Sequence, residues 1–289
     1  MDTLAFILTQ CVNAFSQAAL LFFLGCGLTL IFGIMRIVNF AHGTIYMAGA
    51  YLGYTSVRWL GGFVAALMVA PIVVGVLGVL FELFILRRLY GRDGNAFLMV
   101  TFGLALVLGD AVQVVWGAPP LQVPPPAALA GIAFFLDEPF PVYRLFLIGF
   151  GTVMAIGMWQ FLERTRLGLL IRATSQNPDM VHALGTDVRV VRSGVFGIGC
   201  GLAALGGVLA APLVTASLGM SLAAVVDAFV IVIIGGMGSF LGSLIGALIV
   251  AFVQVFGNYY LPEAALAFMY LVMLTVLVVR PGGLLGKEE

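Results

Sequence analysis

Wide windows without a charged residue alternate along this chain with short polar breaks. A helix crossing about 30 Å of hydrocarbon needs roughly 20 mostly apolar residues, and the windows supply them. Residues 3–35 carry no charge and predict a first helix over about 8–32. Residues 37–57 predict a shorter second helix after a polar interruption. Residues 59–81, continued to Leu86, predict a third, with Glu82 near its end and Arg87, Arg88 and Arg92 closing it. A fourth is expected at about 96–116 with Asp110 inside it, a fifth at 142–162, and four more at about 193–211, 222–237, 240–258 and 264–280. The allowance is eight to ten spans, because Gly33 to Gly43 and Gly235 to Gly242 could be broken or re-entrant segments.

Two stretches depart from this pattern. Gly117 to Pro141 holds seven prolines, which excludes a continuous helix and predicts an extended loop across one face. Glu163 to Arg192 is a polar island carrying Glu163, Arg164, Arg166, Arg172, Asp179, Asp187, Arg189 and Arg192, and it must lie outside the bilayer. The result is one all-α polytopic integral membrane domain. Helices over 1–162 and 193–289 flank a loop at 163–192.

Composition agrees: 62% of residues are hydrophobic and 9% charged, with a mean hydropathy of +1.17, against roughly 25% charged in soluble domains. Net charge is zero and no basic patch interleaves with aromatics, so nucleic acid is not a partner. With the amino terminus outside and nine crossings, Arg36, Arg87, Arg88, Arg92, Arg164, Arg166, Arg172, Arg189, Arg192, Arg280 and Lys287 face the cytoplasm, and only Arg58 and Arg144 face outward. The start, MDTLAFILTQ, lacks the basic region of a signal peptide, so the first helix is expected to be retained.

Candidate chemistry is sparse. Cys11, Cys26 and Cys200 lie in apolar runs without metal-ligand or disulfide spacing, which makes them core residues. No GxxxxGK[ST] loop exists, and with His42 and His182 the only histidines there is no catalytic set, so the chain is read as neither an ATPase nor another enzyme. The run GIMRIVNFAHGTIYMAG places Arg36, Asn39 and His42 beside glycines. It is either a broken helix lining a pathway or an interfacial turn between two spans. Asp110 and Asp227 are the acids deepest inside predicted spans; they could contact a substrate or relay protons, or lie near helix ends among polar neighbours. Gly238, Gly242 and Gly246, four residues apart, predict one helix face for close packing. In the island, Asn177 and Pro178 are helix-start chemistry and Gly185 a left-handed stop, so a short helix is expected over 179–184. Met180, Val181, Ala183 and Leu184 would give it an apolar knob suited to a partner's groove.

Four blocks now carry a resemblance: GLTLIFGIMRIVNFAHGTIYMAGAYLG, RATSQNPDMVHALGTDVRVVR, GGMGSFLGSLIGA and RPGGLLG, in this order and spanning nearly the whole chain. They resemble LivH-type permeases, the branched-chain amino acid subfamily of ABC importers. The resemblance implies an inner-membrane subunit with a periplasmic amino terminus and a cytoplasmic carboxyl terminus. It implies pairing with a LivM-type permease, two cytoplasmic ATPases that hold ATP and Mg, and a periplasmic substrate-binding protein. The island becomes the coupling loop, in which Asp179, Met180, Val181, Ala183 and Leu184 dock on an ATPase while Arg172, Asn177 and Gly185 hold the helix in shape. Relatives in that family carry urea, short amides or aromatic acids, so branched-chain amino acids are the first expectation among several. A secondary transporter using Asp110 and Asp227 is a further reading, and a membrane scaffold another.

Overall fold

The computed structural model describes residues 3–135 and 138–286, among which are eleven α-helices and one short hairpin. The helices are α1 (Thr3–Met35), α2 (His42–Leu60), α3 (Phe63–Phe84), α4 (Gly94–Trp116), α5 (Val142–Arg164), α6 (Arg166–Gln176), α7 (Pro178–Ala183), α8 (Val188–Val214), α9 (Met220–Gly235), α10 (Phe240–Tyr260) and α11 (Ala265–Val279). A 3-10 turn, Leu86–Leu89, prolongs α3. Seven helices, α1, α3, α4, α5, α8, α10 and α11 with the 3-10 turn before it, are long and apolar enough to cross a membrane. The other two in the bundle differ. α9 has 16 residues, about 24 Å against the roughly 30 Å of hydrocarbon, and α2 carries His42, Arg58 and several hydroxyls along its 19 residues.

Helix α8 is the axis. It packs against α1, α2 and α3, while α1 also packs against α5, α9 and α10. Small residues make this possible, because a Cβ on Gly207 would stand 2.0 Å from the Tyr46 carbonyl oxygen and one on Gly49 would stand 2.3 Å from that of Ala204. Gly242 and Gly246 seat α10 against α9 in the same manner, at 2.2 Å from the Gly235 oxygen and 2.5 Å from the Ile231 oxygen. Gly238 does not belong to their face: it precedes α10, sits at φ +83°, and meets the Gly33 backbone instead. Fourfold spacing across 238–246 therefore overran the true helix start, since a left-handed residue ends a helix. Cys26 and Cys200 are buried in the core; Cys11 is partly exposed.

Contacts along the bundle set which ends lie together. Gly27 faces Gly199, Arg87 bonds Ser193, and Gly33 touches Gly238. The amides of Leu284 and Leu285 donate to the carbonyls of Ile234 and Gly235, and α5 runs beside α1 through Arg144 with Asn13 and Gly151 with Ala19. One end consequently gathers Arg36, Arg87, Arg88, Arg92, Arg164, Arg166, Arg172, Arg189, Arg192 and Arg280, and the other has Arg58 and Arg144. Lys287 lies outside the described residues. The proline-rich connection covers the arginine-poor end. More ordered than an extended loop, it pairs Leu121 with Ala216 and forms strands β1 (Ile132–Phe135) and β2 (Glu138–Pro141), whose prolines sit where the two-stranded pair has free edges.

Candidate functional site

Two polar regions stand out, one inside the bundle and one projecting from its arginine-rich end. The first begins where Arg36 takes φ +51° and ends α1, its amide donating the last bond to Phe32. Residues 36–41 are not helical. Asn39 organises the restart: its Oδ1 accepts the Ala41 amide at 3.1 Å, and its carbonyl accepts that of His42 at 3.3 Å. His42, the first residue of α2, bonds through Nε2 to the Leu24 carbonyl at 2.9 Å. Leu24 lies eleven residues before the end of α1, about 16 Å along the axis. The chain thus turns back into the bundle before α2 starts, which decides for a broken, re-entrant segment over an interfacial turn. Thr101 of α4 accepts the Phe40 amide at 3.3 Å, and the Phe40 ring meets Phe102 and Phe229, holding the segment between α4 and α9.

Asn39 and His42 are completely enclosed, and Asn39 Nδ2 and His42 Nδ1 have no hydrogen-bond partner. The two aspartates do not join them. Asp227 accepts a bond from Gln254 of α10 at 2.9 Å, and the same amide reaches Met269 of α11 at 3.4 Å. Asp110 is exposed on α4, six residues from its far end, so of its two readings the structure favours an outward-facing acid. The four candidates therefore divide into one buried pair and two separate acids.

The second region is built by caps. Thr165 opens α6 by accepting the Gly168 amide at 3.0 Å, and Gly168 fits because a Cβ there would stand 2.3 Å from the Phe161 and Leu162 oxygens. Asn177 opens α7 by accepting the Met180 amide at 2.9 Å, with Pro178 in the first turn. At the other end Gly185, at φ +86°, donates to His182, and Thr186 donates to Val181 at 3.3 Å. This crossed pair closes a short helix without further residues. Asp187 then caps α8 through the Arg189 amide. Of the expected knob, Met180 is 58% and Leu184 78% exposed, and Asp179 and Ala183 are exposed with them. Val181 is the correction: it is buried and anchors α7, as a six-residue helix needs one face inward to be held at all. Arg172 acts at a distance from α7, pairing with the Glu163 carboxylate and so tying α6 to the end of α5. A cleft of about 240 Å³ opens beside this pair, lined by Thr29, Ser175 and Ser239 among others.

The amphipathic α6 was not foreseen, although Thr165 followed by an apolar, threefold-spaced run signals it. Nor was the cluster around Glu82. This buried carboxylate accepts from the Ser193 hydroxyl and, at 2.5 Å, from the Tyr90 hydroxyl, with Arg87 3.6 Å away. Burial first, and then the bond to Glu82, push the Tyr90 phenol up, so it stays a neutral donor. Among the described residues no group of acids, cysteines and histidines could hold a metal.

Residues 10–277 match the family described as branched-chain amino acid transport system / permease component. The chain belongs to that family. It is 27% identical over 98% of its length to the high-affinity branched-chain amino acid transport system permease protein BraD of Pseudomonas aeruginosa, covering 96% of that protein. It is 25% identical over 98% of its length to the permease protein LivH of Escherichia coli K12, covering 97%. A probable LivH of Methanocaldococcus jannaschii aligns at 25% over 62% of this chain and 58% of its own. Among solved structures, PsaBC from Streptococcus pneumoniae in complex with a Fab superimposes with a TM-score of 0.51 over 95% of this chain and 90% of that one. At 14% identity that likeness is one of fold. This permease is thus a multi-pass membrane protein.

Proposed function

We propose that this permease forms half of the translocation pathway of an ATP-driven importer of branched-chain or related hydrophobic amino acids. It would sit in a bacterial inner membrane with its arginine-rich end, and so its carboxyl terminus, in the cytoplasm; the asymmetry of ten arginines against two supports this orientation. A second, LivM-type permease would complete the pathway. Two ATPase subunits carrying ATP and Mg would bind beneath it, and a periplasmic substrate-binding protein would deliver the amino acid.

The observation that carries this reading is α7, a helix capped at both ends that presents Leu184 and Met180 at the arginine-rich end of a chain of this family. Two large apolar side chains held out by such a short, fixed helix suit a groove on a partner. Movement of that groove on ATP binding would reach α8 directly, because only Gly185, Thr186 and the capping Asp187 separate α7 from Val188, with Leu184 closing α7 itself. Asn39 and His42 are the pathway candidates. Being enclosed, they meet substrate only when α2 parts from α1 and α9. A secondary transporter built on Asp110 and Asp227 draws no support from their separate environments.

The test is Leu184→Asp in the assembled complex. Carrying a charge into an apolar groove should weaken ATPase docking about 100-fold, abolishing substrate-stimulated ATP hydrolysis while the thermal stability of the permease stays unchanged. Normal coupling in that variant would remove α7 from the mechanism.

A further inference from the structure

A second cavity, of about 290 Å³, lies apart from α7 and from the broken segment's buried pair. Its walls are helix ends: Met35, Arg36 and Ile37 after α1, Tyr90, Gly91 and Arg92 in the turn after α3, Gly94 and Phe97 at the start of α4, and Arg192 one turn into α8. Three arginines line it, and among the described residues no acid does. Asp93, beside it in sequence, is exposed and outside the lining.

Two independent features point to an anion. Arg192, partly exposed at the cavity wall, holds its guanidinium over the Tyr90 ring at 4.9 Å. A guanidinium fixed in this way offers a planar fork of N–H donors that matches the oxygens of a phosphate. The start of α4 supplies the other: its N-cap residue, Asp93, makes no side-chain cap bond, so the first amides of this 23-residue helix, at Gly94, open on the cavity. Tyr90 is itself held, by Glu82 below and by stacking on Phe97, so the floor under Arg192 is fixed.

Depth selects the anion. Because the cavity forms where four apolar spans end on their arginine-rich side, it lies at the level of lipid headgroups, where basic pockets between helices take anionic lipid. We propose that this cavity is a binding site for a phosphate group, supplied by an anionic phospholipid at the membrane surface, with Arg92, Arg192 and the α4 amides as its donors. The site is independent of which solute the permease moves, and goes beyond the transport reading.

Native mass spectrometry of the purified full-length chain, titrated with phosphatidylglycerol or with phosphatidylcholine of the same acyl chains, tests it. One phosphatidylglycerol should be retained in preference to phosphatidylcholine. Arg192→Gln should weaken it about fivefold and the double change with Arg92→Gln about thirtyfold, whereas Arg58→Gln, at the opposite end, should change nothing. Arg92 is on an exposed turn, so Arg92→Gln alone carries the test if Arg192→Gln fails to fold. Competition by millimolar inorganic phosphate, lost in the variants, would keep the site and assign it to a soluble phosphate. Equal retention of both lipids, with neither lipid nor phosphate binding altered by the substitutions, would overturn the proposal.

Discussion

Helices α8 and α11 are almost equally apolar, yet 89% of the α8 span is buried within the protein and 11% of the α11 span. The difference lies in side-chain size. α8 contains six glycines, Gly194, Gly197, Gly199, Gly201, Gly206 and Gly207, and α11 contains none. Lipid tails are as apolar as leucine, so no hydrophobic force chooses which span stands at the centre. Close backbone approach does, and only small residues allow it. Hydropathy thus determines that both helices enter the membrane, and glycine spacing determines which one the others wrap.

The comparison can be broken in three places. Gly207→Leu, driving a side chain into the Tyr46 carbonyl region, should cost roughly 3 kcal/mol or more. The chain would lose its single peak in detergent size-exclusion, and an intact peak with unchanged melting would show that the α2 and α8 seam is not what holds the centre. Gln254→Leu strips the half-buried Asp227 of its partner where α9, α10 and α11 meet. A loss of about 1–3 kcal/mol is expected, read as a lower melting temperature that Gln254→Asn only partly restores; no change would mean that the peripheral α11 owes nothing to this polar link. Gly103→Ala on the exposed side of α4 has open space around it and should stabilise the helix slightly, by up to about 1 kcal/mol. A fall of several degrees there would reveal a buried surface that the isolated chain does not possess.

How far the sequence could be read follows from the range of the forces involved. The caps of α7 were legible because Asn177, Pro178 and Gly185 act on backbone groups within three residues of themselves. The buried face of Val181 was not, since the pattern of four apolar residues in a six-residue helix has no periodicity to assign. In the same way Gly33 to Gly43 could be seen as interrupted, but its return to the level of Leu24 depends on a bond between residues 18 apart. Glu82 looked like an ordinary charge near a helix end. Its partner Ser193 comes from 111 residues away.

The sequence by itself determined that this protein is helical, lives in a membrane and belongs with the permeases whose motifs it carries, because these follow from local hydropathy, charge and capping. Only the tertiary structure decided that α8 is the axis, that Asn39 and His42 are enclosed while Asp110 faces outward, and that arginines from three separate chain segments share one cavity. Helices that are uniformly apolar offer lipid and protein equally good surroundings, so the choice between them is made by packing.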